Sequence, residues 1–566
     1  MTGGAHTLRS TVRATLAAAL AACAVVVTSA GVSARAPAPA AAAPVPPERR
    51  VVVFTDSVGL GAKHAIPAAF PDGWSVHVDG QPARFVEQME SQYVRPRLAS
   101  NPEWFGDHVV IAAGYNAPFW DWARFERSID AMVETLTAAG VKHIHWVTLR
   151  EVKPEYISAA AWRQVQPYYW YFPTVNAHLE AALARHSNLT LADWRAVADQ
   201  PGLTYDAIHL NSQGAALYAD VVRRSVIAAE TRLADQTVAP ITVPDGAGAA
   251  AAFVTFTTTE PRTAGFLAPS ASACDQASVS VHNYVRAQTV AHSAIVPLAP
   301  GGTLCVRTRS ATNLIADTGG VFPADGGFVA VTPRRWVDTR TANVRVVPEG
   351  ELRLGLDALT LGIPLDEIEG LALSVTAVDA TGPGWLRVLP CGSSADTSNV
   401  NYLDATATPN LVITAPSDTG DVCVSTRTDT HVVVDVFGVF TRGFTPAAER
   451  VFDSRADGGA LPANAVTRVT VGADVDAVVV NLTAVNATAP GYVTAYPCAG
   501  GRPLASNLNV AGPAATANVA IVAPDGDGAI CIFNLMPSDL VVDVQARLAD
   551  GVFTGRTPER LLDTRG

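Results

Sequence analysis

Apolar residues follow two different rhythms along the chain, and the change falls near residue 246. From 49 to about 230, near-continuous apolar runs alternate with helical patterns. "RVVVFTDS", "WSVHVDG", "HVVIAAGYN", "HIHWVTLR" and "LTLADW" read as strands. Runs this apolar suit strands covered on both faces, as in a parallel sheet. "FERSIDAMVETLTAAG", "YFPTVNAHLEAALARHS" and "GAALYADVVRRSVIAAETRLA" read as helices between and after them. Strand–helix alternation predicts an α/β fold built on a doubly wound parallel sheet. Active sites in such sheets lie at the carboxyl ends of strands, and Ser57, Gly80 and Asn116 all sit there.

Beyond residue 246 the runs are short, rich in Val, Thr and Ala, and broken by Gly, Pro, Asp and Asn. This is an all-β rhythm, and it repeats. "RRWVDTR" ends at Arg340, "ERVFDSR" at Arg455 and "ERLLDTR" at Arg565. "VVVDVFGVF" and "LVVDVQARL" recur with the same period, with "LIADTGGVF" as a diverged first copy. Three β repeats are expected, at 246–340, 341–455 and 456–566, after an α/β domain at 49–235. The last strand is expected to close the array onto an earlier unit. Asp338/Arg340, Asp453/Arg455 and Asp563/Arg565 are expected to form local ion pairs or turn bonds.

Composition narrows the function classes. A chain of 566 residues exceeds what one core usually serves. Its net charge of -12, with no basic stripe, argues against nucleic acid as a partner. Residues 1–48 read as an export signal and a Pro/Ala-rich linker: Arg9 and Arg13 precede an apolar stretch from Ala14 to about Ala30. "LAAC" at Leu20 to Cys23 also matches a lipoprotein cleavage box, but the apolar "AVVV" after Cys23 favours ordinary secretion. No other segment is long and apolar enough to span a bilayer.

The six remaining cysteines fall into the pairs Cys274/Cys305, Cys391/Cys423 and Cys498/Cys531, with 30, 31 and 32 residues between partners. Even count and regular spacing in an exported chain imply one disulfide per repeat. Zinc is disfavoured, since the cysteines are not in CxxC pairs and no histidines accompany them. No Walker loop and no GxGxxG follow a strand, so no metal, nucleotide or flavin cofactor is expected.

A serine hydroxyl becomes nucleophilic only when a base takes its proton and donors await the oxyanion. "TYDAIHLNSQGAALY" sets Asp206 three residues before His209, where a carboxylate can orient an imidazole. "DGQPARF" supplies Gly80, and "AAGYNAP" supplies Asn116, a side-chain donor. These blocks, in this order, resemble the SGNH (GDSL) hydrolase family over residues 51 to about 220. The resemblance implies a flavodoxin-like three-layer fold. It also implies Ser57 as nucleophile, His209 as base and Asp206 as its orienter. Ser57, Gly80 and Asn116 would form the oxyanion hole. Thr55 stands where the family has Gly.

The aromatic stretches at 162–172 and 116–122 fit core or cover, or else a stacking surface for sugar or acyl groups. His64, His77, His143 and His145 fit packing or surface positions. The β half resembles the "RLLDTR"-type repeats of actinobacterial secreted and surface proteins. Two readings of it stand: attachment to a cell-wall polymer, or a rigid spacer without a ligand. Together these features point to a secreted or surface-associated serine esterase acting on an acylated carbohydrate or lipid ester. A lipase-like acylhydrolase or an acyltransferase would use the same residues, and a non-catalytic adhesin is the rival from another class.

Overall fold

In the computed structural model, which describes residues 49–116, 121–271, 279–473 and 475–565, the first five apolar runs form one parallel sheet. Its strands are β1 (Arg49–Thr55), β2 (Trp74–Gly80), β3 (His108–Ala112), β4 (His143–Val147) and β5 (Leu189–Ala192), in the order β2-β1-β3-β4-β5. The early helices are α1 (Ser57–Leu60), α2 (Ala65–Ala69), α3 (Val86–Met89) and α4 (Arg95–Ser100). Then come α5 (Trp122–Ala138), α6 (Ala159–Val165), α7 (Tyr168–Ala182), α8 (Trp194–Val197) and α9 (Ser212–Thr231).

Alternate residues of a strand face opposite sides of its sheet. Val52 and Phe54 therefore pack with Met89, Ile129 and Val175 of α3, α5 and α7. Val51 and Val53 pack with Ile66 of α2 and Val222 of α9. The result is the expected three-layer α/β arrangement. The order reverses direction between β1 and β3, the switch point at which ligands bind in open sheets of this kind.

His143 and His145 lie in the first half of β4, an inner strand, towards the end of the sheet opposite Ser57. His145 Nδ1 meets Ser225 Oγ at 2.8 Å and its Nε2 meets His108 at 3.1 Å, while His108 Nε2 meets Glu230 at 2.6 Å. Burial pushes all three rings towards the neutral form. His108 and His145 hold α9 to the sheet, and His143 meets Arg262. His77 stacks on Trp104 with centroids 4.7 Å apart.

From Val238 onward the described residues form six four-stranded antiparallel sheets in a propeller-like arrangement. The sheets associate in pairs, each pair enclosing its own aliphatic core. A fourth apolar cluster lies where the three pairs meet, with Phe322, Phe328, Phe440, Phe444 and Phe553 at its corners. Phe322 sits 4.5 Å from Phe328 and 4.9 Å from Phe553, centroid to centroid. These residues come from the links between units, "VFPADGGF", "VFTRGF" and "DGVF", so each chain corner is also a piece of the shared core.

Sheet pairing moves the expected unit boundaries. The first two Arg–Asp strands hydrogen-bond forward, into the unit that follows, instead of ending the unit before. Phe328–Asp338 pairs with His431–Phe440, and Phe444–Asp453 with Asp539–Leu548. The last strand, Thr554–Asp563, pairs with Asn313–Pro323 and completes the first unit, closing the array as expected. The units therefore run 328–440 and 444–548, and the first combines 238–323 with 554–563.

One ion pair marks each of these junctions. Arg335 Nε donates to Asp435 at 2.6 Å, Arg450 Nε to Asp543 at 2.9 Å, and Arg560 to Asp317. The three aspartates are nearly inaccessible, at 2%, 3% and 3% of side-chain exposure. The expected turn bonds are present too. Arg340, Arg455 and Arg565 each donate side-chain and backbone N–H groups to the aspartate two residues earlier. That fork, the largest of several causes, holds the Asp338 carboxyl down to about 2.

Two of the expected disulfides are formed, Cys391–Cys423 and Cys498–Cys531. Each braces neighbouring strands of one sheet. Cys305 lies on Thr303–Thr308, and Cys274 falls outside the described residues. So do residues 1–48, with the export signal and Cys23.

Removing one partner of a buried ion pair leaves an uncompensated charge, at a cost of about 3 kcal/mol. Arg560→Ala should therefore destabilise the protein by about that much in chemical denaturation, and adding Asp317→Asn should recover part of it. Arg455→Ala, which removes only an exposed turn fork, should cost less than about 1 kcal/mol. Equal losses from the two single variants would refute the assignment of ring closure to the buried pair.

Candidate functional site

The site grows out of one register. Thr55, the last residue of β1, lies opposite Gly80 of β2 on one side and Ala112 of β3 on the other. The residues that follow these strands are thus delivered to one sheet end. Asp56 caps α1, its Oδ1 accepting the Val58 amide at 3.0 Å. Ser57 is the first helical residue, where an amide has no intrahelical acceptor.

Thr55 is fitted to its glycine neighbours. A Cβ on Gly59 would lie 2.0 Å from Thr55 Oγ1, and one on Gly80 would lie 1.9 Å from the Thr55 carbonyl oxygen. Thr55, which stands where the family that the sequence resembles has glycine, therefore occupies space that Gly59 leaves open. Its Oγ1 is used as well, donating to the Asp56 and Ala112 carbonyls.

His209 and Asp206 arrive from the loop ahead of α9. His209 Nε2 lies 3.0 Å from Ser57 Oγ, and its Nδ1 lies 2.7 Å from Asp206 Oδ2. Asp206 Oδ1 accepts the amides of Ile208 at 3.0 Å and His209 at 2.7 Å. Burial would raise the Asp206 carboxyl, but the hydrogen bonds from the His209 amide, the imidazole and the Ile208 amide outweigh it and hold the group below its usual range. Asp206 thus stays a carboxylate that fixes the tautomer with the proton on Nδ1. Nε2 is then free to accept the Ser57 proton.

The expected oxyanion donors differ in state. Asn116 Nδ2 is buried and has no acceptor among the described residues. The Gly80 amide is engaged, donating to Asp79 Oδ1 at 2.9 Å, while Asp79 Oδ2 accepts from Arg97 Nε at 2.6 Å. Gly80 must release that carboxylate before it can serve another oxygen. Of the aromatic stretches, Trp162, Tyr168, Tyr171 and Phe172 pack in or against the core, whereas Tyr169 and Trp170 are exposed. Residues 117–120 lie outside the described residues.

The pattern of motifs did not reveal Arg150. It follows β4, is 2% exposed, and has no salt-bridge partner among the described residues. Its guanidinium donates to the carbonyls of Ala198 at 3.0 Å, Gln200 at 2.9 Å and Ala207 at 2.9 Å. Ala207 stands between Asp206 and His209 with φ of 75°, a left-handed conformation costly for a residue with a Cβ. Arg150 therefore ties the strained Asp206–His209 loop to the end of β4. Its own amide donates to Tyr115 Oη at 2.8 Å, beside Asn116, which links the two halves of the site. Asn176 holds the same exit by pairing with both backbone groups of Leu149, at 2.8 and 2.9 Å.

Asp56 was also invisible to motif reading beyond its place before Ser57. Burial raises its carboxyl to about 7, against hydrogen bonds from Val58, Tyr115 and Gly114 amides that lower it.

Two expectations follow. Lysine cannot reproduce a planar fork to three carbonyls, so Arg150→Lys should slow labelling of Ser57 by a fluorophosphonate probe by up to about 100-fold. Loss of thermal stability with labelling unchanged would mean that Arg150 serves only the fold. The second concerns Asp56, whose folded pKa near 7 exceeds its unfolded value near 4. The folded state binds more protons between those limits, so stability falls as pH rises through the window. Relative to Asp56→Asn, the wild type should lose up to roughly 1.4 kcal/mol per pH unit there. Parallel stability profiles for the two proteins would exclude the shift.

No family model matches the chain, and no curated protein matches it. Among solved structures it is similar to the C-terminal catalytic domain of Streptococcus pneumoniae peptidoglycan O-acetyltransferase A, at 22% identity and a TM-score of 0.26, over 32% of this chain and 94% of that one. A GDSL-like lipase from Bacteroides thetaiotaomicron gives 17% identity and 0.27, over 32% and 89%. A lipase/acylhydrolase from Enterococcus faecalis gives 18% and 0.25, over 31% and 95%. These structural neighbours are SGNH/GDSL-type hydrolases and a related acyltransferase domain, similar to about a third of this chain.

Proposed function

We propose that the protein is a secreted serine esterase of the SGNH/GDSL type that removes short acyl groups, acetyl foremost, from a carbohydrate or cell-envelope substrate. The observation that carries this reading is the unbroken hydrogen-bonded series Ser57 Oγ, His209, Asp206, set at the switch point of a parallel sheet. In the first step His209 Nε2 takes the Ser57 proton as Oγ bonds to the ester carbonyl carbon. The carbonyl oxygen becomes an oxyanion, met by the Asn116 Nδ2 donor, the Ser57 amide and the Gly80 amide once Asp79 lets it go. The ester C–O bond then breaks, and His209 returns the proton to the departing sugar oxygen. Water, deprotonated by the same imidazole, cleaves the acyl-serine and restores Ser57.

His209 and Asp206 keep 33% and 43% of their side-chain exposure, which supports water as the second nucleophile. Two disulfides support an oxidising destination. No helix among the described residues is long and apolar enough to cross a membrane. The β units would hold or space the esterase at an envelope surface.

The test is hydrolysis of p-nitrophenyl esters from acetate to palmitate by the wild type beside Ser57→Ala. Acetate should be cleaved fastest, and the variant should lose at least about 10⁴-fold in kcat. Hydrolysis that survives in Ser57→Ala would sink the mechanism, a palmitate preference would make the enzyme lipase-like, and no Ser57-dependent turnover would favour a surface adhesin.

A further inference from the structure

Where the edge of the α/β domain meets the first β unit there is a cavity of about 700 Å³, well away from the Ser57 loop in sequence and built from both parts. Its volume falls in the range of small-ligand sites. Four arginines line it, in a chain whose net charge is -12. Two are already neutralised, Arg195 by Glu180 at 2.7 Å and Arg232 by Glu260 at 3.0 Å.

The other two are not. Arg262 contacts His143 Nδ1 at 2.6 Å, and burial, the largest of several causes, depresses that histidine to about 3 and keeps it neutral. Arg286 donates to the His186 carbonyl at 2.8 Å. Neither pairs with a carboxylate among the described residues, and both are half-buried. Arg232 Nε, buried in the same wall, also has no acceptor among the described residues. Asp193, the remaining acid of the lining, is taken up in capping α8 through the Ala196 amide and in accepting from Thr148 Oγ1, both at 3.2 Å. Asp235, near Arg262 on the far side, accepts the Ala311 amide. Guanidinium donors therefore outnumber their acceptors here.

A half-buried guanidinium without a counter-ion has lost hydration that a single neutral acceptor returns only in part, and an oxyanion would return more of it through charge-assisted hydrogen bonds. The rest of the lining is apolar at Leu183, Leu189 and Pro261, a surface suited to the C–H face of a ring. We propose that this cavity binds an anionic saccharide, its carboxylate or phosphate seated by Arg262 and Arg286 and its ring against Leu183 and Pro261. The proposal is independent of the chemistry at Ser57. A second cavity of about 620 Å³ shares Ser187, Arg232 and Arg262, so a longer polymer has room to continue.

The test is calorimetric titration of the full chain with glucuronate, glucose 6-phosphate, inorganic phosphate and neutral glucose. At least one of the two anionic sugars should bind ten or more times more tightly than glucose, and which of them does so tells carboxylate from phosphate. Arg286→Gln and Arg262→Gln should each weaken that binding tenfold or more. Ser187→Asp, an exposed position that adds a competing carboxylate, should do the same, and Ser57→Ala should bind as the wild type does. Because Arg262 braces His143, Arg286→Gln and Ser187→Asp decide the matter if Arg262→Gln fails to fold. Glucose binding as well as the anionic sugars, inorganic phosphate matching the sugar phosphate, unchanged affinity in the variants, or no binding of any anion at ~10 mM would each overturn the proposal.

Discussion

Everything at the candidate site hangs on the register of a single strand. Thr55 is the residue at which three strands are aligned, and a slip of one place in β1 would carry Ser57 away from both Gly80 and Asn116. Such a slip would also reverse which of Val51, Val52, Val53 and Phe54 face each helical layer. Burial on both faces therefore fixes the position of the Ser57 hydroxyl to within a hydrogen-bond length. The threonine itself is wedged against two glycines, so the register is also held by the lack of any other space for its side chain.

Much of this was legible in the sequence, because it is local. Each apolar run and each helical period reports on burial a few residues away, and the five parallel strands appeared where those runs stood. Ser57, His209 and Asp206 were readable as a set because their blocks come in a recognisable order, and the structure brings their side chains together. Arg150 was not readable. Its acceptors lie 48 to 57 residues further on and are backbone carbonyls, which leave no mark on the side-chain pattern. Asp79 was hidden for a similar reason, since its hold on the Gly80 amide depends on how one carboxylate turns at the end of β2.

The β region shows the same division. Its repeats were plain, but their boundaries were drawn at the end of each Arg–Asp motif, since a motif met in a linear text looks like a terminator. Hydrogen bonding made it an opening strand instead. The residue that betrays this is the buried aspartate of "VVDV", or of "IADT" in the first unit, because Arg335, Arg450 and Arg560 each answer to the one within the unit they complete. Sequence shows that two charges recur; only the fold shows which copy of one meets which copy of the other.

The strand Thr554–Asp563 has a consequence for biogenesis. A ribosome delivers residues 238–323 long before 554–563, so the first β unit must wait with Asn313–Pro323 as an open edge while the other two units are made. Until then the first unit cannot reach its final state, however complete its own stretch of chain. Exposed edges of that kind invite pairing with other chains. The nascent chain is thereby kept unfinished in its first β unit until residues 554–563 emerge. Loss of residues 554–563 would then injure the unit nearest the α/β domain, leaving the unit adjacent in sequence with all of its strands.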